Sequence, residues 1–307
     1  MSMELDEIRE ILAENVVAVP TTIWKEADVL DLEGNARNAT YLFEHGVTAA
    51  VYAGGTGEHD RLTVEQQVRL LQSVTEAARK ANETICVGTG LGRTLERVRA
   101  LAPVLGELGV DAAMLMPASV SELEAQYDYY GQAIRILREH GVWSILYARP
   151  EYPLSVELFR RLFADYAIPG VKLANNNLLL SYAEMVHDYG HKDCAWLCGV
   201  AGWWMPAYHA VGAARGMSSG IVNAFPERPR ALLRRILSGE FERSEEYWTI
   251  VRLEQLRRAG PGYVQLVIKY MQELVGLAGG MNGDGAQLPE EVKRQVDCTL
   301  QEADWLA

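Results

Sequence analysis

Apolar residues recur along this chain in two alternating rhythms. Short, nearly continuous apolar runs read as strands: Asn15–Thr21, Thr48–Ala53, Thr84–Thr89, Asp111–Pro117, Trp143–Arg149, Gly170–Ala174, Cys194–Gly199 and Gly216–Val222. Between them lie longer segments in which apolar positions return every three or four residues, the spacing of an amphipathic helix: Val64–Lys80, Thr94–Leu108, Glu122–His140, Val156–Ala164 and Tyr182–Tyr189. Strands that lack polar alternation are buried on both faces, as in a parallel sheet covered by helices. Strand followed by helix, repeated eight times, predicts an α/β chain folded as a closed (β/α)8 barrel, a TIM barrel, rather than an open doubly wound sheet. After Phe225 the rhythm changes, and Pro229–Ser238, Ser244–Arg258, Tyr263–Leu277 and Glu290–Ala303 all read as helices. Pro261–Gly262 and the stretch Gly279–Gly285 punctuate them as turns. The pattern divides the chain into a barrel catalytic domain, 1–225, and a C-terminal helical extension, 226–307. No low-complexity linker separates them, so the extension is expected to pack on the barrel.

Composition supports this reading and narrows the partners. The 307 residues are 49% hydrophobic and 23% charged, enough apolar material for a sizeable core. A formal charge of -12 opposes binding to nucleic acid or to an anionic membrane surface. The four cysteines, Cys86, Cys194, Cys198 and Cys298, are scattered and form no CxxC, which suits free thiols in a reducing compartment. The opening MSMELDEIREILAEN is acidic and helical in pattern, unlike a signal peptide, and no apolar run is long enough to span a membrane. A cytoplasmic location is expected.

Active sites of such barrels lie at the C-terminal ends of the strands, and three places there are chemically unusual. Lys172 stands within the sixth strand, Ile168-Pro-Gly-Val-Lys-Leu-Ala174. Burial strips hydration from an ammonium group and favours the neutral amine that attacks a carbonyl, the setting of a Schiff-base lysine. A lysine in this position that snorkels to solvent or pairs with a carboxylate is the competing reading. Tyr147 ends the fifth strand, next to Lys172 if both point inward, where a phenol can relay protons. Taken alone, it reads as an ordinary core tyrosine. The loop Ala53-Gly-Gly-Thr-Gly-Glu58 follows the second strand; its glycines let backbone N–H groups approach a carboxylate, and the Thr56 hydroxyl adds a donor. Glu58 reads as an acceptor that fixes the loop rather than as a catalytic acid.

In this order, Gly-Gly-Thr-Gly-Glu, Tyr-x-x-Pro and Val-Lys resemble the class I aldolase superfamily of dihydrodipicolinate synthase and N-acetylneuraminate lyase, over roughly the whole chain. The resemblance implies a lyase that forms an imine with a 2-oxo acid and needs no metal or organic cofactor. It assigns Lys172 as nucleophile, Tyr147 as proton shuttle, and Gly54, Gly55 and Thr56 as carboxylate holder. Gly199 and the strand-eight residues Met217 and Ser219 fall where the family lines the imine pocket, and Ser119 and Arg149 are further candidates for substrate binding. A homotetramer is implied as well. The synthase's two hydroxyl residues before Gly-Glu are Gly55-Thr56 here, its aromatic pair after strand four is Ala118-Ser119, and its substrate-binding arginine is replaced by Tyr152. The loop itself resembles the 5-dehydro-4-deoxyglucarate dehydratase branch, although Ala148 and Leu173 stand where that branch is expected to have Asn and Asp. A dehydratase or aldolase of a deoxy-sugar acid is therefore the leading expectation. A pyruvate-dependent aldolase and a barrel that binds oxo acids without turnover are the alternatives. Specificity is expected in side chains such as Arg149, Tyr152, Asn175 and Ser219.

Other signals carry less. Val87-Gly-Thr-Gly-Leu-Gly-Arg93 has GxGxG spacing rather than the GxGxxG of a dinucleotide site. His187 and His191 are four apart, but the helix is expected to end near Gly190, and no H-E-x-x-H supports a metal-dependent aldolase. Cys194 and Cys198 read as small buried residues on the seventh strand. Trp203-Trp204 reads as packing or an oligomer contact before substrate contact.

Overall fold

The computed structural model describes residues 3–151 and 154–306. Eight parallel strands close into a barrel: β1 (Val16–Ala18), β2 (Ala49–Tyr52), β3 (Cys86–Leu91), β4 (Ala112–Leu115), β5 (Trp143–Ala148), β6 (Gly170–Leu173), β7 (Ala195–Cys198) and β8 (Gly216–Ser219). Each overlaps one of the apolar runs. Sequential strands pair in parallel, and β1 closes the ring by pairing with both β2 and β8. The helices are α1 (Leu5–Leu12), α2 (Leu32–Glu44), α3 (Val64–Ala81), α4 (Leu95–Glu107), α5 (Leu123–Glu139), α6 (Val156–Asp165), α7 (Leu179–Asp193), α8 (Met205–Ala210), α9 (Glu227–Leu237), α10 (Glu245–Arg258), α11 (Tyr263–Leu274) and α12 (Glu290–Glu302). Their starts follow local chemistry. Asp31, Thr63, Ser155 and Ser244 each accept a hydrogen bond from a first-turn N–H, and Gln66 completes a capping box with Thr63.

Side chains alternate across each strand and so divide into two cores. Val17, Val51, Met114, Ile145 and Leu197 point into the barrel, which Ile8 and Leu12 of α1 close at its N-terminal end. Ala50, Val87, Ala113, Leu146, Val171 and Met217 point outward and pack with the surrounding helices. Both sets being apolar is why the strands read as unbroken runs. The glycines of the GxGxG segment are explained by this packing: Gly88 and Gly90 lie in β3, and a side chain at Gly90 would collide with the Ala53 carbonyl.

Helix α8, a short hairpin and helix α2 lay outside the periodic pattern. A small antiparallel hairpin, Trp24–Glu26 with Val29–Leu30, follows β1. Helix α2 buries Asn35 and Asn38, whose amides pair with the main chain of Ile23 and Ala278, so polar residues occupy its inward face. In α7 the backbone breaks helical form at Gly190 (φ 75°), which separates His187 from His191. Helix α9 packs on β1 and β8, while α10, α11 and α12 pack on one another. Residues 262–284 of this C-terminal region return over the barrel mouth.

Candidate active site

The C-terminal ends of the strands surround a cleft of about 600 Å³. Inward-pointing strand residues form its floor: Val51, Met114, Tyr147, Lys172 and Ser218. Lys172 and Tyr147 are register partners on β6 and β5, so their side chains emerge side by side, with Lys172 Nζ 4.5 Å from the centre of the Tyr147 ring. Lys172 is only 7% exposed, and Tyr147 is half-buried. Two lysines are buried in this region, and they differ in one respect. Lys269 is paired with Glu58, whereas among the described residues no carboxylate is paired with Lys172. Next to it, Gly199 has to be glycine, because a Cβ there would come 2.9 Å from both the Leu173 carbonyl and Lys172 Cγ.

The loop after β2 forms one wall, with Gly54, Gly55 and Thr56 at its rim. Its shape is held from several sides. Thr22 Oγ1 donates to the Gly57 carbonyl, and Gln265 Nε2 donates to the Gly55 carbonyl. Glu58 accepts from the Trp24 indole N–H, the Gly283 N–H and Lys269 Nζ, so its carboxylate fixes the loop as its position suggested. Lys269 Nζ also donates to the Met281 carbonyl and to Asn282 Oδ1. Among the described residues, the N–H groups of Gly55 and Thr56 meet no acceptor, which leaves them available to an anion.

The rest of the lining is cationic despite the chain's charge of -12. Arg61, Arg149, Arg257 and Arg258 line the cleft with Lys172, against Glu58, Asp60 and Asp284. Arg149 pairs with Glu151 and Arg61 with Asp284. His59 is nearly sealed in the floor, its Nε2 2.9 Å from Asp60 Oδ1. Burial pushes the His59 pKa below its ordinary value, Arg93, Arg149 and Arg97 push the same way, and Asp60 opposes them.

Of the residues singled out from sequence, Lys172, Tyr147, Gly54, Gly55, Thr56, Arg149 and Gly199 meet in this cleft, and Ser119, Met217 and Ser219 do not line it. Ser119 is exposed outside it. Met217 and Ser219 have the wrong parity: they point away from the barrel axis, and Met217 is fully buried in the outer core, while Ser218 faces in. On β8 the inward position is Ser218, the register partner of the inward-facing Val17 of β1. Asn175 caps the short helix Asn176–Leu178 rather than lining the cleft. Tyr152 lies outside the described residues. Trp203 stacks edge-on with Trp204 and lies under the Arg258 guanidinium, 5.0 Å from its ring centre, away from the lining. Sequence reasoning missed His59, Asp60 and Arg61, although they continue the glycine loop directly. It also missed Arg257, Arg258, Gln265, Asn282 and Asp284, which no local pattern marks.

Known proteins resemble this chain in family and in fold. Residues 12–302 match the model of the Dihydrodipicolinate synthetase family. The chain is 27% identical over 268 residues to a probable 5-dehydro-4-deoxyglucarate dehydratase of Bacillus subtilis, covering 85% of this chain and 84% of that one. It is 27% identical over 237 residues to a 4-hydroxy-tetrahydrodipicolinate synthase of Methanothermobacter thermautotrophicus, covering 75% and 81%. Among solved structures, dihydrodipicolinate synthase from Oceanobacillus iheyensis superposes with a TM-score of 0.85 at 24% identity, covering 98% of this chain and all 100% of its own. Sialic acid aldolase from Ruminococcus gnavus gives a TM-score of 0.82 at 18% identity, covering 96% and 99%.

Proposed function

The chain belongs to the dihydrodipicolinate synthetase family, and from that premise we propose that it is a lyase that forms a Schiff base between Lys172 and a 2-oxo acid. The observation that carries this reading is the contrast between the two buried lysines. Lys269 is paired with Glu58, and Lys172, in the floor of a cleft against Tyr147, has no paired carboxylate among the described residues. A lysine amine at the floor of a cleft, within reach of a phenol, is placed to attack a carbonyl carbon.

The Lys172 amine attacks the C2 carbonyl carbon, the new C–N bond forms, and the carbonyl electron pair moves to oxygen. The carbinolamine loses water with Tyr147 relaying the proton, and the protonated imine withdraws electrons from C3. Loss of a C3 proton and departure of the C4 hydroxyl is dehydration; cleavage of the C3–C4 bond is the aldolase alternative. Hydrolysis of the final imine returns Lys172 and consumes one water. The rim of Gly54, Gly55 and Thr56 is suited to the C1 carboxylate, and Arg149 and Gly199 complete its surroundings. We favour a deoxy-sugar acid as substrate, in line with the similarity to probable 5-dehydro-4-deoxyglucarate dehydratases. On this reading the catalytic unit needs both proposed domains, the barrel 1–225 and the extension 226–307. The family likeness also supports a homotetramer, tested by sedimentation, and the free cysteines support a cytoplasmic location.

Borohydride reduction followed by intact-mass measurement tests the proposal. The parent protein should trap 5-dehydro-4-deoxyglucarate in preference to pyruvate, and Lys172→Ala should trap neither. Preferential trapping of pyruvate would move the reading to a pyruvate-dependent aldolase. An adduct without turnover would favour the binding barrel, and no adduct in the parent would end the imine mechanism.

A further inference from the structure

The loop that carries the Gly54–Thr56 rim also carries the only histidine that lines the cleft among the described residues. The His59 N–H donates to the Gly54 carbonyl at 3.2 Å, so the imidazole belongs to the same turn as the N–H groups of Gly55 and Thr56 that meet no acceptor. Its side chain is only 4% exposed, and Nε2 lies 2.9 Å from Asp60 Oδ1 but out of line for a hydrogen bond. An ionisable group so buried, one turn from the rim, responds to charge brought there.

The charges that face His59 come from four segments. Asp60 follows it in the loop, Arg93 lies just beyond β3, Arg97 is in α4, and Arg149 lies just beyond β5. Arg97 Nη2 donates to the Leu62 carbonyl and to Gln67 Oε1, neither of which is charged, and Arg149 pairs with Glu151. Asp60, the one carboxylate among the four, is 76% exposed, so solvent and salt screen much of its charge. Burial and three guanidinium groups therefore outweigh it and disfavour an imidazolium at this place. A carboxylate held at the rim supplies negative charge on the side of the imidazole where the loop has none to spare. It favours the imidazolium, and by reciprocity the imidazolium favours the bound carboxylate.

We propose that His59 takes up a proton when a carboxylate binds at the Gly54–Thr56 rim, so that the cleft holds its acid more tightly as the pH falls from about 7.5 to about 5.5. This rests on the reading of that rim as the carboxylate holder. His59 acts here through its charge and touches none of the reacting atoms, so it is a positioning residue for the acid group.

Lactate is the probe, because it carries the carboxylate but no carbonyl and forms no imine with Lys172. Calorimetry at about pH 6, in two buffers of different ionisation enthalpy, counts the protons taken up per lactate bound. It is run on the parent, His59→Gln, Asp60→Asn and Lys172→Ala, with melting temperatures to verify the fold. The parent and K172A should both take up a fraction of a proton, and H59Q none. D60N, altered at an exposed position, loses the one carboxylate facing the imidazole and should take up less than the parent. Lactate affinity in the parent should fall several-fold between pH 5.5 and 7.5, at most about tenfold per pH unit for a single proton, while H59Q stays flat. A parent that binds no lactate or binds it without proton uptake overturns the proposal, as does uptake that survives H59Q or disappears in K172A. Borohydride trapping of pyruvate on the same samples keeps the two readings apart. An adduct without proton uptake removes the role of His59 and leaves the imine, and uptake without an adduct does the reverse.

Discussion

The Lys269 ammonium and the Glu58 carboxylate meet at 2.6 Å, the lysine fully buried and the glutamate nearly so, and they join α11 to the loop after β2. Lys269→Met would leave a buried carboxylate with only the Trp24 and Gly283 donors. Breaking such a pair from one side costs about 3–5 kcal/mol. Urea unfolding of K269M should show a loss of that size, with weaker binding of any ligand held by the Gly54–Thr56 rim. A loss under about 1 kcal/mol would mean that the pair does not fasten the loop.

Tyr147→Phe keeps the ring against Lys172 and removes the phenol proton. Positioned acid–base groups contribute about 10²–10⁴-fold. The variant should lose that much in kcat, with KM little changed and the adduct still formed, but slowly. An unchanged kcat would place the relay on another group.

The parity of β8 separates two neighbouring substitutions. Met217 fills the outer core, so Met217→Ala should cost about 2–5 kcal/mol of stability and spare ligand affinity. Ser218 faces the cleft, so Ser218→Val should weaken ligand binding with little change in the urea midpoint. The reverse pattern would mean that the strand's inward face has been misassigned.

His59 makes stability depend on pH. Its folded-state pKa is lowered, first by burial and then by Arg93, Arg149 and Arg97, against the opposing charge of Asp60. The unfolded chain therefore binds the proton more readily. The contribution is fully present above the ordinary histidine value of about 6.5 and is lost as the pH falls through the folded value. Burial also lowers His191, so the informative quantity is the difference between parent and His59→Gln. That difference should be constant above pH 7 and change between pH 6.5 and 5. A difference that stays constant down to pH 5 would exclude His59 as a source of the dependence.

The eight strands were legible because two apolar faces make an unbroken run, and Lys172 and Tyr147 stood out as polar residues inside such runs. Gly54–Thr56 showed itself by its glycines. Helix α2 was obscured because Asn35 and Asn38 occupy inward positions and satisfy main-chain groups there. Met217 and Ser219 were chosen because position along a strand is easier to read than parity, which depends on one register fixed elsewhere. Arg257 and Arg258 lie on a charged surface helix by any local measure. Only the fold of the C-terminal region brings them to the barrel mouth.

Glu58 finds its partners Lys269 and Gly283 at separations of 211 and 225 residues. Seen as an order of synthesis, this makes the cleft a late feature of the molecule, although its glycine rim is among the first parts made. A nascent chain can assemble all eight strands while Glu58 still lacks its clamp. Ligand binding should therefore appear abruptly once the segment through Asp284 has cleared the ribosome, and not in proportion to the length of barrel already formed.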